Sequence, residues 1–401
     1  MEGWIFSESM TGMVLSRALT LQDLTIFGIV SIMGSGGFNL IGTAVKSGGR
    51  WWILAFAIAA VLLLGASHTY SRAMVHTKPG NTLESDIVGN MFGRWAELAT
   101  STGILVFNIV GISVILVMCS HILFPNGKWL GQITFALATL TGMTILGLQG
   151  IDTNRDGINL AGIAFVMMIA FTAALGYISQ FIHTKRESVH QPFNKDTFKV
   201  SVFTFFFILA GFDILAKFMD EAKDPSDIPI SFFASNIVSG IITLGIAMAI
   251  VSWIPNLTKA NEEEAFENLI GHFLGKNAED GFTYIVAGFL ITTTFVVFLA
   301  ISRYLYGLGK KNNLQFLMSL NGKNAPYAAS GVIAGLIALC ILINNTDTLV
   351  MISDFGLIVT ILLVSAAATF ADWKVGESIS ALLSGITTAG FGGILSLYVL
   401  G

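Results

Sequence analysis

Charge is scarce in this chain. Of its 401 residues, Asp, Glu, Lys and Arg make up 11 %, against roughly 25 % in a soluble globular protein. Hydrophobic residues reach 54 %, and the mean hydropathy is +0.76. So few charges cannot cover that much apolar side chain, which excludes a cytosolic enzyme and a disordered protein. A basic surplus is missing too, the formal net charge being −4, so nucleic acid is excluded as a partner. Cysteine occurs only as Cys119 and Cys340, each in an apolar run; neither a disulfide framework nor a zinc site follows, and no metal centre is expected. A signal peptide is not expected, because residues 1–19 carry Glu2 and Glu8 and no basic segment ahead of a long apolar core. Long polar stretches are absent as well: the largest gaps, 184–198 and 256–279, are too short for a folded domain.

What remains is a set of long apolar runs. A spanning helix needs about 20 mainly apolar residues. Eleven segments qualify: 20–48, 50–75, 91–124, 129–149, 154–183, 199–222, 229–254, 280–309, 326–344, 346–371 and 375–400. Barrel strands would alternate over about 10 residues, whereas these runs are longer and apolar all round. The expected fold is an all-α polytopic membrane bundle in contact with lipid. With the N-terminus inside, the inner side takes 12 of the 21 Lys and Arg residues, the sense of the positive-inside rule. Two sequons, Asn256-Leu257-Thr258 and Asn344-Asn345-Thr346, then fall outside. No span carries the polar stripe a channel needs, and none clusters the His or acidic residues of a membrane-embedded enzyme.

Two spans are interrupted. The first contains Gly34-Ser35-Gly36-Gly37-Phe38, and each glycine costs about 1 kcal/mol relative to alanine in a helix interior. One glycine suits close helix packing; a mid-span cluster favours unwound backbone, which survives at membrane depth only where it is buried in protein or lines a cavity. The sixth reads Phe205-Phe206-Phe207-Ile208-Leu209-Ala210-Gly211-Phe212-Asp213-Ile214, placing a costly carboxylate two residues after a glycine. Gly37-Phe38-Asn39-Leu40 and Gly211-Phe212-Asp213-Ile214 match in residue type. Each lies in the first helix of a five-helix set. The chain therefore divides into a leading segment 1–19, halves 20–183 and 199–371, and an added span within 375–401. Breaks at corresponding places in two halves point to a transporter binding site.

At these residues the sequence resembles the amino acid–polyamine–organocation (APC) superfamily of permeases. Leu21-Gln22-Asp23-Leu24 through Gly34-Ser35-Gly36-Gly37-Phe38 resembles its first helix. Gly211-Phe212-Asp213 through Asp220-Glu221-Ala222-Lys223-Asp224-Pro225 and Asp227-Ile228-Pro229 resembles its sixth helix and following loop. Ser302-Arg303-Tyr304-Leu305-Tyr306 through Asn324-Ala325-Pro326-Tyr327 resembles its eighth. The resemblance implies a five-plus-five inverted-repeat (LeuT-like) fold, alternating access, amino acids or amines as substrates, no enzyme activity, and a cytoplasmic N-terminus, with the plasma membrane favoured. It departs from the family pattern at Gly37, where Ile is usual, and in the long stretch Pro79 to Gly93.

The implied substrate site is Met33, Gly34, Ser35, Gly36 and Gly37 with Phe207, Ile208, Leu209, Ala210 and Gly211. Helix ends there offer N–H groups to a carboxylate and carbonyls to an ammonium. No charged side chain is needed, which favours neutral amino acids. Phe207 aligns with the family's aromatic gate, or is one more core- or lipid-facing ring beside Phe203, Phe205 and Phe206. Ser35 suits a substrate hydrogen bond and close packing equally. Asp213 is a candidate for proton coupling or a cap on the unwound segment, and an Asp213–Lys217 pair on one face would weaken the proton reading. Thr292, Thr293 and Thr294 fit the family's sodium site, a hard cation held by oxygen, or bond back to their own helix. The fifth span lacks the lysine that replaces sodium in some relatives, so Na+, H+ and plain exchange stay open; no other cofactor is expected. His68 and His76 carry no assigned site. Arg72, Lys78, Glu84, Asp86, Arg94, Asp220, Glu221 and Lys223 read first as solvated loop charge and second as an inner gate, and Glu262-Glu263-Glu264 as a solvated loop. A receptor that binds without transporting would keep all of these features. Sequence alone does not give the oligomeric state.

Overall fold

The structure, a computed structural model, describes residues 15–34, 37–125, 127–182, 194–253, 265–343 and 346–400. Fourteen α-helices run in order: α1 (Leu21–Gly34), α2 (Gly37–Gly48), α3 (Trp52–His76), α4 (Leu83–Phe92), α5 (Arg94–Leu123), α6 (Trp129–Gly147), α7 (Ile151–Ile182), α8 (Lys195–Leu209), α9 (Asp227–Trp253), α10 (Ala265–Leu274), α11 (Lys276–Lys311), α12 (Tyr327–Ile343), α13 (Thr346–Lys374) and α14 (Ser378–Leu400). A 3-10 segment, Phe212–Phe218, follows α8. Among the described residues nine helices are long and apolar enough to cross a membrane, and α1 and α12 are shorter apolar ones. Together they match the eleven expected passages, and the sixth is broken after Leu209. Two short helices fall where none was expected. The long Pro79–Gly93 stretch folds into α4, so the third passage starts at Arg94 and not at 91, and α10 lies in the gap before the eighth. The sequons at Asn256 and Asn344 and the run Glu262–Glu264 lie outside the described residues.

Local chemistry sets the start of the first helix. Thr20 donates from its backbone N and its Oγ1 to Asp23 Oδ2, both at 2.8 Å, while Asp23 N donates to Thr20 Oγ1 at 3.3 Å. This reciprocal cap satisfies otherwise orphaned donors, and it puts an acid at the positive end of the helix. Asn159 Nδ2 donates to Asp23 Oδ1 at 2.5 Å, fixing α7 to the same turn. The helices that carry the breaks are interior: Leu24, Phe27, Val30, Met33, Phe205, Phe206 and Ile208 are fully buried. The outer helices present apolar side chains outward, Ile379, Leu382 and Ile386 of α14 being 60 to 79 % exposed, as a lipid-facing surface requires.

One end of the bundle, where α1 begins, is tied shut by backbone and charge. Leu19 N donates to Glu221 O at 3.0 Å, and Lys223 N donates to Leu19 O at 2.8 Å. Arg155 Nη1 donates to Ala18 O at 2.9 Å. Arg72 and His76 converge on Asp372 at 2.7 Å, and Lys311 joins Asp86 at 2.5 Å and Glu97 at 2.7 Å. The reading of these charges as solvated loop is therefore corrected for Glu84 and Glu221, which are 0 and 1 % exposed. It holds for Lys78, Arg94 and Lys223, which are exposed.

Candidate functional site

The break in the sixth passage meets α1 in the interior. α1 is described to Gly34 and α2 from Gly37; Ser35 and Gly36, on which the expected break of the first passage falls, lie outside the described residues. α8 stops at Leu209, Ala210 is extended (φ −76°, ψ 159°), and Gly211 takes φ +120°. A Cβ built on Gly211 would stand 3.2 Å from both the carbonyl carbon and the oxygen of Ser31. The broken sixth passage thus touches the last turn of α1 backbone to backbone, and only glycine leaves room and conformational freedom for it. Met33, Ile208, Leu209 and Ala210 are buried around this contact. Phe207 is half-buried, its ring T-stacked on Phe206 at 5.3 Å. Ser31, which sequence reasoning passed over, is the α1 residue that lies against the break in the sixth passage.

Between the contact and the closed end, aromatic rings pack against one another. Phe212 packs edge-on against Tyr70 (5.3 Å between centroids) and Phe232 (5.6 Å), and Tyr70 against Phe232 (5.9 Å). Phe27 of α1 meets Phe218 at 5.5 Å.

The three threonines separate. Thr292 and Thr294 donate back to Gly288 O (3.0 Å) and Leu290 O (2.6 Å) on their own helix. Thr293 alone crosses over, donating to Val30 O at 2.8 Å, and its side chain fills the space a Cβ on Gly34 would need. A carbonyl of the first helix and a hydroxyl of the eighth passage therefore face each other. Among the described residues no cluster of His, Cys, Asp and Glu suits a metal ion.

Asp213 does pair with Lys217, at 3.0 Å, and Lys217 also reaches Glu84 of α4 at 2.6 Å. Sequence reasoning missed this second partner, 133 residues away, having put Glu84 among loop charges. Burial pushes the Glu84 carboxyl up from its ordinary range, opposed by the Lys217 ammonium and assisted by Asp213. Nearby, Arg303 forks onto Glu221, Nε to Oε2 at 2.7 Å and Nη2 to Oε1 at 3.2 Å. Burial pushes the Glu221 carboxyl up as well, with the Arg303 guanidinium opposing. A further acid, Asp354, lies half-buried in α13 with no hydrogen-bond partner among the described residues. Its isolation in the apolar run 346–371 is a signal the sequence carried.

A sequence model of the amino acid permease family matches residues 19–401. Curated relatives agree. The chain is 23 % identical over 279 residues to the mitochondrial cationic amino acid transporter 3 of Arabidopsis thaliana, covering 60 % of this chain and 43 % of that one. With the chloroplastic cationic amino acid transporter 9 of the same plant it shares 24 % over 347 residues, covering 78 and 58 %. With the branched-chain amino acid permease of Bacillus subtilis it shares 23 % over 386 residues, covering 88 and 80 %. The chain spans about half the length of the two plant relatives and most of the bacterial one. With nearly its whole length matched, this chain belongs to the amino acid permease family of the APC superfamily, a family of multi-pass membrane permeases and not of enzymes.

Proposed function

We propose that the protein is a secondary transporter that moves neutral amino acids by alternating access, with the substrate held between Gly34–Gly37 and Phe207–Gly211. The observation that carries this reading is the backbone contact of Gly211 with Ser31. Where two helices break against each other, a positive half-helix end faces the substrate carboxylate and carbonyl-rich ends face its ammonium. The acid nearest the break, Asp213, is already held by Lys217, which leaves a zwitterion as the charge-matched occupant. Residues 20–183 and 199–371 act as two inverted halves that rock about this centre. The end closed by Leu19 and Glu221 is the cytoplasmic one, in accord with the charge bias, and the plasma membrane is the favoured location.

A cationic substrate is the second reading. Its support is the unpartnered Asp354 and the likeness to the two plant cationic amino acid transporters. The deciding test is uptake of a panel of labelled neutral, cationic and acidic amino acids and amines into proteoliposomes. Each is run without a gradient, with a sodium gradient, with a proton gradient, and with unlabelled substrate inside. Saturable uptake of neutral amino acids is expected. Preference for cationic ones selects the second reading, and binding without flux under every condition makes the protein a receptor.

A further inference from the structure

We propose that Glu84, Lys217 and Asp213 form a proton-binding site, with Glu84 the acceptor, that couples proton movement to release of the Phe212–Phe218 segment. The inference rests on the transporter reading above.

The first argument is charge. Glu84 and Lys217 have fully buried side chains, and that of Asp213 is 4 % exposed. Two carboxylates and one ammonium leave a surplus negative charge in a site that water does not reach, a costly state. One bound proton cancels it. The second argument is hydrogen bonding. An ammonium has three donors, and those of Lys217 are all used: Glu84 Oε1 at 2.6 Å, Asp213 Oδ2 at 3.0 Å and Asp213 O at 3.1 Å. Nothing is left for Glu84 Oε2, which is buried without a partner, as is the hydroxyl of Tyr70. Tyr70 and Tyr304 both lie within electrostatic reach of Glu84. A proton on Oε2 turns an unpaired acceptor into a donor.

The groups facing Glu84 are thus Asp213 and Lys217 from the 3-10 segment, Tyr70 from α3 and Tyr304 from α11. The other helices packed on α4 put their charges elsewhere: Glu97 of α5 meets Lys311, and Lys374 of α13 reaches Met91. The third argument is position. Lys217 belongs to the segment that follows the Gly211 break, while Glu84 belongs to α4. Protonation takes a proton from hydronium, leaves water, forms an O–H bond on Glu84 and brings the triad from a charge of −1 to zero. The Lys217–Glu84 link between segment and helix then falls from an ion pair to a neutral hydrogen bond. Lys217 keeps Asp213, which rides on the same segment. Loading from one side of the membrane and release to the other makes the site a coupling device.

The test uses full-length protein in proteoliposomes with the substrate identified by the panel above. Counterflow against preloaded substrate is compared with accumulation driven by an inward proton gradient, in wild type, Glu84→Gln and Glu84→Asp. Glu84→Gln is expected to exchange substrate, to lose proton-driven accumulation entirely and to lose the pH dependence of its exchange. Glu84→Asp is expected to accumulate with a displaced pH profile. Glu84→Gln keeps the balanced Asp213–Lys217 pair and mimics the protonated state, so a Gln variant that cannot fold where the Asp variant folds overturns the surplus-charge argument. Proton-driven accumulation by Glu84→Gln at the wild-type level overturns the proposal. So does wild type that exchanges but never responds to protons, and that result leaves the transporter reading standing. Wild type that neither exchanges nor accumulates overturns the transporter reading itself.

Discussion

Replacing Gly211 by alanine tests whether the contact of the sixth-passage break with α1 is part of the site. Gly211 has φ +120° and ψ −1°, a region that L-residues rarely enter, and such backbone costs about 1–3 kcal/mol. The new methyl group would also lie 3.1 Å from Ser31 Oγ and 3.2 Å from the Ser31 carbonyl. Ser31 is 2 % exposed, and α1 is held one residue earlier by the Thr293–Val30 hydrogen bond, so α1 has little room to retreat. The strain is relieved by parting the Gly211 segment from α1. If all of it appears in binding, affinity falls about 5–150-fold. The assay is equilibrium binding of labelled substrate to purified protein, with thermal unfolding read on the same sample. Gly335→Ala is the control: it lies exposed in α12 with no atom within 4 Å of its built Cβ, and a helix-interior glycine gains about 0.5–1 kcal/mol on becoming alanine. It should bind normally and melt no earlier. Wild-type binding and melting by Gly211→Ala, or an equal loss in Gly335→Ala, would refute the reasoning.

Three further predictions follow from the buried contacts. Arg303→Met strands Glu221 in the interior and should cost about 3–5 kcal/mol; adding Glu221→Leu should recover most of the lost thermal stability, and a double variant no better than the single one would count against the pair. Glu84 binds its proton more tightly folded than at its ordinary value of 4.5. Its contribution to stability is therefore full below that pH and is lost as pH rises through the folded value. Melting temperature should fall with rising pH more steeply in wild type than in Glu84→Gln; Asp220 and Glu221 shift in the same direction, so the difference between the two proteins isolates Glu84, and parallel profiles would contradict the assignment. Thr293→Val removes the α11–α1 hydrogen bond and should cost about 0.5–1.5 kcal/mol, more than Thr292→Val or Thr294→Val. If transport proves sodium-driven, Thr293→Val should also abolish the sodium response, as flux at graded sodium concentrations would show.

The passages and the break in the sixth could be read from the sequence because each is a local energetic statement. Long apolar runs demand helices, three glycines in mid-span resist one, and an acid after Gly211 marks a second interruption. Asp213 and Lys217 were also within reach, being four residues apart. What could not be read was anything that depends on distant partners. Glu84 looks like loop charge until Lys217 arrives from 133 residues away, and Glu221 until Arg303 arrives from 82. Likewise the threonine triplet reads as three equal candidates, since helix phase alone does not say which one meets Val30. The short helices α4 and α10 escaped notice for a simpler reason: at 10 residues each they are too short to register as passages.

The distribution of charge links structure to proposed function. Most of the ion pairs gather at one end of the bundle, where Leu19, Arg155, Glu221 and Arg303 tie helices and loops together. The described residues of the breaks carry no charge of their own, and the nearest acid is occupied by Lys217. A zwitterion brings equal and opposite charges to a site built from backbone dipoles, so it binds without disturbing that balance. A substrate with an additional positive charge needs a further acid, and Asp213 can supply one only by giving up Lys217 to Glu84. Selectivity and coupling then depend on the same ammonium: the contact that keeps Asp213 neutralised for a neutral substrate is the contact that a proton on Glu84 would loosen.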